Sequence, residues 1–136
     1  MSPQMVEKFA PLRVLIVDDE SLIRWSLAEV LADAGHRVEE AGDGASALAL
    51  LSDGRQFDVV VLDYRLPDSN DLRLLSTIRN LAPGSTVIMM TAFGTPEMLD
   101  GALELGAYRV VPKPFDVHEM ASLVAEASRV GRGISQ

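Results

Sequence analysis

The chain has 136 residues, a formal net charge of −8 and no cysteine, with about half of its residues hydrophobic and a quarter charged. That length and balance describe one domain with a real core, and they exclude a disordered chain, a disulfide scaffold and a thiolate metal site. The acidic surplus argues against direct contact with DNA, and no apolar stretch is long enough to cross a bilayer.

The N-terminal MSPQMVEKFAP has no continuous apolar core and does not read as a signal peptide; with the missing cysteines, this points to a reducing, cytoplasmic setting. From there, short apolar runs alternate with amphipathic stretches about a dozen residues long, the pattern of repeated βαβ units. The first run, VLIV at 14–17, ends in Asp18 and Asp19. Ile23, Leu27, Val30, Leu31 and Ala34 then follow helical spacing, and Gly35 supplies the stop. A brief second strand is expected around 37–40, followed by a helix capped by Asp43 and carrying Ala47, Leu48 and Leu51.

The run VVVL at 59–62 ends in Asp63. A turn-rich loop at 67–71 leads into a helix with Leu72, Leu75, Ile78 and Arg79, closed by Ala82-Pro83-Gly84. VIMM at 87–90 ends in Thr91. Thr95-Pro96-Glu97 is a strong helix start: a cap residue, proline at the first helical position, then an acid. The last run, VVP at 110–112, leads to Lys113 and Pro114. The final helix opens at Asp116 with Glu119 three residues on, resembling a capping box, and buries Val117, Met120, Leu123, Val124 and Ala127. Five strands thus alternate with five helices. The expected layout is an N-terminal tail at 1–11, one domain at 12–130 and a tail or the start of a linker at 131–136.

Short, continuously apolar strands belong to a parallel sheet covered on both faces, and such sheets bind ligands beyond their carboxyl ends. Asp18, Asp19, Asp63, Thr91 and Lys113 should therefore converge. Carboxylates about 4 Å apart repel by roughly 4 kcal/mol at an effective dielectric of 20, so one stays protonated or a divalent cation binds. An oxygen-only donor set favours Mg²⁺, a lysine and a hydroxyl at the same rim suit a phosphoryl group, and the remaining carboxylate can act as nucleophile.

The stretches VLIVDDE, AGDGASALALL, FDVVVLDYRLPD, VIMMTAFG and GAYRVVPKPFD resemble a receiver domain of two-component response regulators, over about 13–129. SLIRWSLAEVLADAG, VIMMTA and PKPFD look closest to nitrogen-regulator-class receivers, which usually precede an AAA+ module for σ54-dependent transcription regulation. The resemblance implies a flavodoxin-like (βα)5 doubly wound sheet with strand order 2-1-3-4-5. It implies a signalling phosphoprotein rather than a metabolic enzyme, although the family catalyses its own phosphoryl transfer and slow dephosphorylation. Asp63 would accept phosphate from a sensor histidine kinase or a phosphotransfer protein. Asp18, Asp19, Asp63 and the backbone carbonyl of Arg65 would hold Mg²⁺, with Asp19 the more direct ligand. Thr91 and Lys113 would contact the phosphoryl oxygens, and Lys113-Pro114 matches a site where the family usually has a cis peptide. Arg65 and Phe93 occupy positions that tune phosphate lifetime.

Two positions depart from the family pattern. Val110 stands where the family has a switch tyrosine or phenylalanine; Tyr108, two residues earlier, should share its side of the strand by alternation. Asp71 replaces a loop glycine, a substitution read as harmless because aspartate tolerates left-handed backbone better than most residues.

Trp25 lies off its helix's buried stripe and should be partly exposed, packed on the helix surface against its own aliphatic neighbours or, as the second reading, offered to a docking kinase. Met98, Ala102 and Leu105, with Leu99 and Leu103 beside them, make a wide apolar arc. It suggests that this helix, the last strand and the last helix form a face for an output partner or a homodimer. His36 and His118 read as surface residues. A haloacid-dehalogenase-type phosphatase would need an aspartate where Arg65 stands, and a flavodoxin-like cofactor binder would need a phosphate-cradling loop after the first strand. A phosphorylation-independent adaptor on the same fold is the remaining alternative.

Overall fold

The computed structural model describes residues 11–131. Nearly all of the expected N-terminal tail and residues 132–136 of the expected C-terminal one lie outside the described residues. Strands β1 (Arg13–Val17), β2 (Arg37–Ala41), β3 (Val59–Asp63), β4 (Thr86–Thr91) and β5 (Ala107–Pro112) alternate with helices α1 (Ser21–Asp33), α2 (Gly44–Ser52), α3 (Arg73–Leu81), α4 (Pro96–Glu104) and α5 (Val117–Gly131). All the strand pairings are parallel, in the order β2-β1-β3-β4-β5. The expected α/β architecture and strand order are therefore the observed ones.

The central strands explain the continuous apolar runs, since β3 is buried throughout and β1 from Val14 onward. Val14, Ile16, Val59 and Val61 pack with Leu27 and Leu31 of α1 and with Met120, Val124 and Ala127 of α5. Leu15, Val17, Val60 and Leu62 pack on the opposite face with Ala47 of α2, Leu75 and Ile78 of α3 and Ala102 of α4. Both faces are thus dry, as a parallel sheet requires.

The capping signals are realised. Asp43 accepts from Ser46 N at 2.8 Å, and Thr95 Oγ1 accepts from Met98 N at 3.1 Å ahead of Pro96. Asp116 Oδ1 accepts from His118 N at 2.7 Å and Glu119 N at 3.3 Å, the aspartate half of the expected box.

Three expectations change. Tyr108 does not share a face with Val110. The β4–β5 register shifts between Val87, paired with Ala107, and Ile88, paired with Arg109. This bulge takes up Tyr108 as an extra residue and reverses the alternation. Tyr108 packs on the α1/α5 face, whereas Val110 packs on the α2/α3/α4 face. The Tyr108 hydroxyl donates to Glu126 of α5, which also pairs with Arg109 at 3.2 Å.

Asp71 needs no left-handed tolerance, because no non-glycine described residue has positive φ. It closes a local turn ahead of α3 instead: its Oδ1 accepts from Arg73 N at 2.9 Å, and its Oδ2 from Arg73 Nε at 3.0 Å. His36 is half-buried, and its Nδ1 accepts from Leu12 N at 3.1 Å. Burial pushes its pKa below the ordinary histidine value, with Asp58 opposing.

The exposed apolar residues include Leu22 and Trp25 on α1, at 72% and 59% exposure, and Leu103 with Leu105 at the end of α4. Trp25 is exposed as its position off the buried stripe predicts. Leu99 is half-buried and lies beside Gly94 of the preceding loop.

Candidate functional site

Asp18 follows β1 and is fully buried. Every polar part of it is engaged. Its N–H donates to Ala41 O of β2 at 3.1 Å, and its carbonyl accepts from Arg24 Nη1 at 2.6 Å. Its Oδ1 accepts from Glu20 N at 2.8 Å, and its Oδ2 from Lys113 Nζ at 2.8 Å. Asp63 is the last residue of β3 and 6% exposed. Its Oδ1 accepts from Arg65 N at 3.4 Å and its Oδ2 from Lys113 Nζ at 3.0 Å.

Lys113 follows β5 and is joined to Pro114 by a cis peptide bond. Its N–H donates to Thr91 O at 2.8 Å, and its ammonium reaches a third carboxylate, Glu20 Oε1, at 3.1 Å. Thr91 ends β4 and is buried, with its Oγ1 accepting from Phe93 N at 3.2 Å. Asp19, Glu20, Asp63, Thr91 and Lys113 line one open cleft of about 310 Å³, together with Arg65 and Phe93. A larger hollow of about 480 Å³ lies against Gly44, Asp68 and Arg73. None of the converging residues lines it, and Arg73 is already paired with Asp71, so size does not mark the site.

The electrostatics follow from this packing. Burial and then the neighbouring Asp18 charge push the Asp63 carboxyl up to about 6, while Lys113 pulls it back. Burial works against the Lys113 ammonium, but hydrogen bonds to Asp18 and Asp63 outweigh it and hold its pKa above the ordinary lysine value.

Oxygen atoms of Asp18, Glu20 and Asp63 all lie within 4.8 Å of one another. This donor set is oxygen only, so its chemistry fits a hard divalent cation such as Mg²⁺. Glu20 stands in this group where the sequence suggested Asp19, which lines the cleft without joining the three. Glu20 and Arg24 are the site neighbours that sequence reasoning missed. Glu20 lies in the VLIVDDE stretch, and Arg24 is four residues further along α1; neither position announces a contact with Lys113 or with the Asp18 carbonyl.

Residues 14–125 match the family model described as "Response regulator receiver domain". The chain belongs to the response regulator receiver domain family. Over 114 residues this receiver domain is 36% identical to the DNA-binding transcriptional regulator NtrC of Azospirillum brasilense, covering 84% of the chain and 24% of that protein. It is 35% identical to the sporulation initiation phosphotransferase F of Bacillus subtilis, covering 82% of the chain and 90% of that protein. Among solved structures, a CheY-like receiver domain protein from Methanospirillum hungatei superposes with a TM-score of 0.85 at 28% identity, covering 91% of this chain and 98% of that one. NtrX from Brucella abortus superposes with a TM-score of 0.81 at 34% identity, covering 90% of this chain and 28% of that one. The receiver domain thus spans about a quarter of the NtrC relatives it matches and nearly all of the sporulation phosphotransferase. The signalling role expected from the sequence is the one these relatives carry, and the phosphorylation-independent adaptor is not favoured. No described helix is long and apolar enough to cross a membrane.

Proposed function

We propose that Asp63 accepts a phosphoryl group from a phosphohistidine of a sensor kinase or phosphotransfer protein. One Asp63 oxygen attacks phosphorus, an O–P bond forms, the N–P bond breaks, and the imidazole leaves with the bonding pair. The carrying observation is the Lys113 ammonium, 3.0 Å from Asp63 Oδ2 and anchored by Asp18 at 2.8 Å. An ammonium beside the acceptor compensates the charge of incoming phosphoryl oxygens. Thr91 lines the same cleft; its Oγ1 accepts from Phe93 N, which leaves the hydroxyl hydrogen to be donated to a phosphoryl oxygen.

Asp18, Glu20 and Asp63 would hold Mg²⁺, with Asp19 and the Arg65 carbonyl as the further ligands the family pattern assigns. When bound, the ion neutralises charge between the carboxylates and the phosphoryl oxygens. Arg65 and Phe93 are both exposed along the cleft, Phe93 at 80%, where they limit access of attacking water and set the lifetime of the acyl phosphate. The receiver spans 12–130, works in the cytoplasm, and passes its state to an output domain or partner. Leu22 and Trp25 offer the kinase an apolar landing on α1. The α4–β5–α5 face, with Leu103 and Leu105 exposed, serves an output contact or a homodimer, and the domain itself does not touch DNA.

The test is incubation with Mg²⁺ and a small-molecule phosphodonor, followed by intact mass. A phosphoryl adduct on the parent and none on Asp63→Asn is expected. An unmodified parent would return the adaptor reading.

A further inference from the structure

Arg24 belongs to the second turn of α1, yet its guanidinium does not run out to solvent. Nη1 donates to the backbone carbonyl of Asp18 at 2.6 Å, while Nε pairs with Glu40 of β2 at 3.2 Å. The side chain passes beside Gly42, where a Cβ would stand 3.4 Å from Nη1. The Asp18 backbone is therefore held on both sides of its Cα, because its N–H donates to Ala41 O, the last residue of the same strand β2. We propose that Arg24 is a positioning residue for the metal and phosphoryl site: it locks the Asp18 backbone so that the carboxylate meets Asp63, Glu20 and Lys113. This rests on the function proposed above.

The geometry separates this role from simple charge compensation. Arg24 bonds the Asp18 carbonyl and leaves the carboxylate oxygens to Glu20 N and Lys113. It therefore occupies no ligand position, and it resembles the outer groups that orient a metal's direct ligands. A planar fork is needed to reach the Asp18 carbonyl and Glu40 together, and a lysine ammonium does not reproduce that span. Glu40 is 42% exposed and lines no part of the cleft, so altering it loosens the clasp from outside the site.

The two roles predict opposite outcomes. Removing a nearby positive charge without disturbing geometry would tighten binding of a divalent cation. Removing a positioning group weakens it, and loss of such outer groups typically costs about 10–100-fold in metal affinity. The experiment is calorimetric titration of the folded domain with Mg²⁺, comparing the parent with Arg24→Met, Arg24→Lys and Glu40→Gln. Both Arg24 variants are expected to bind about tenfold more weakly or worse, with a smaller loss in Glu40→Gln. A purely structural role would lower the melting temperature and leave the affinity of the folded protein unchanged. If Arg24→Met does not fold, Arg24→Lys and Glu40→Gln carry the test. Parent-like or tighter Mg²⁺ binding in the folded variants, with the parent still forming its phosphoryl adduct, overturns this inference alone. A parent that neither binds Mg²⁺ nor forms the adduct overturns the proposed function and this inference with it.

Discussion

The Lys113 ammonium stands 3.0 Å from Asp63 Oδ2, with the two side chains only 11% and 7% exposed. The acceptor and its counter-charge are thus paired before any phosphoryl group arrives. Breaking a buried pair by removing one partner is strongly destabilising, because a charge is left without compensation. Asp63 has an escape, since it can take up a proton. Lys113→Met is therefore expected to cost about 2–3 kcal/mol at about pH 8 in EDTA, and clearly less at about pH 5. Urea unfolding at both pH values checks this. Equal losses would mean that packing of the lysine stem dominates over its charge.

Asp63 carries a pH signature of its own. Its pKa is pushed up to about 6, chiefly by burial, above its value in an unfolded chain. Between about pH 4 and pH 6 the folded state keeps a proton that the unfolded state has released. The stability this group contributes is full below that window and is lost as pH rises through it. Asp63→Asn abolishes the titration, so without Mg²⁺ its stability relative to the parent should rise by on the order of 2 kcal/mol from about pH 4 to pH 8. Melting curves of both proteins across that range decide it, and a pH-independent gap would sink it. Phosphoryl uptake should fall off in acid for the same reason, as the attacking oxygen must be ionised.

Tyr108 and Val110 lie on opposite faces of the sheet, so Tyr108 is not a displaced version of the family's switch ring. Tyr108→Phe removes the bond to Glu126 and should cost about 1 kcal/mol of stability without changing phosphoryl uptake. Structures with and without a phosphoryl mimic should show the Tyr108 ring in one place. A ring that swings toward Thr91 would overturn this.

Asp71→Gly restores the residue usual in the family loop but deletes the turn bonds to Arg73. With no left-handed backbone to relieve, the glycine brings no gain. The expected cost is only about 0.3 kcal/mol, read by chemical denaturation; a stabilised variant would show that the loop is strained after all.

The strand ends are legible in the sequence because each apolar run stops at a charged or hydroxyl residue, and parallel topology then brings Asp18, Asp63, Thr91 and Lys113 together. The caps at Asp43 and Thr95 are equally local and equally readable. The β5 bulge is not. An inserted residue changes no residue type, and only the pairing of Arg109 with Ile88 reveals that alternation fails at Tyr108. Glu20 and Arg24 are hidden for a different reason. Their contacts span from α1 to β2 and to the end of β5, and long flexible side chains do not declare which way they reach. His36 escapes notice likewise, since a turn histidine looks like surface until its ring is found accepting from Leu12.

β5 has a neighbour on one side only, and its ladder to β4 is continued by the bond from Lys113 N to Thr91 O. A shift of β1 or β3 would disturb two ladders at once, whereas the outermost strand can slide or tilt against a single one. The acceptor therefore sits where the sheet is stiffest, and the lysine that answers it sits at the margin, where displacement is least costly. A change of charge at the centre would then be answered first by movement at that margin, before the middle of the sheet is disturbed.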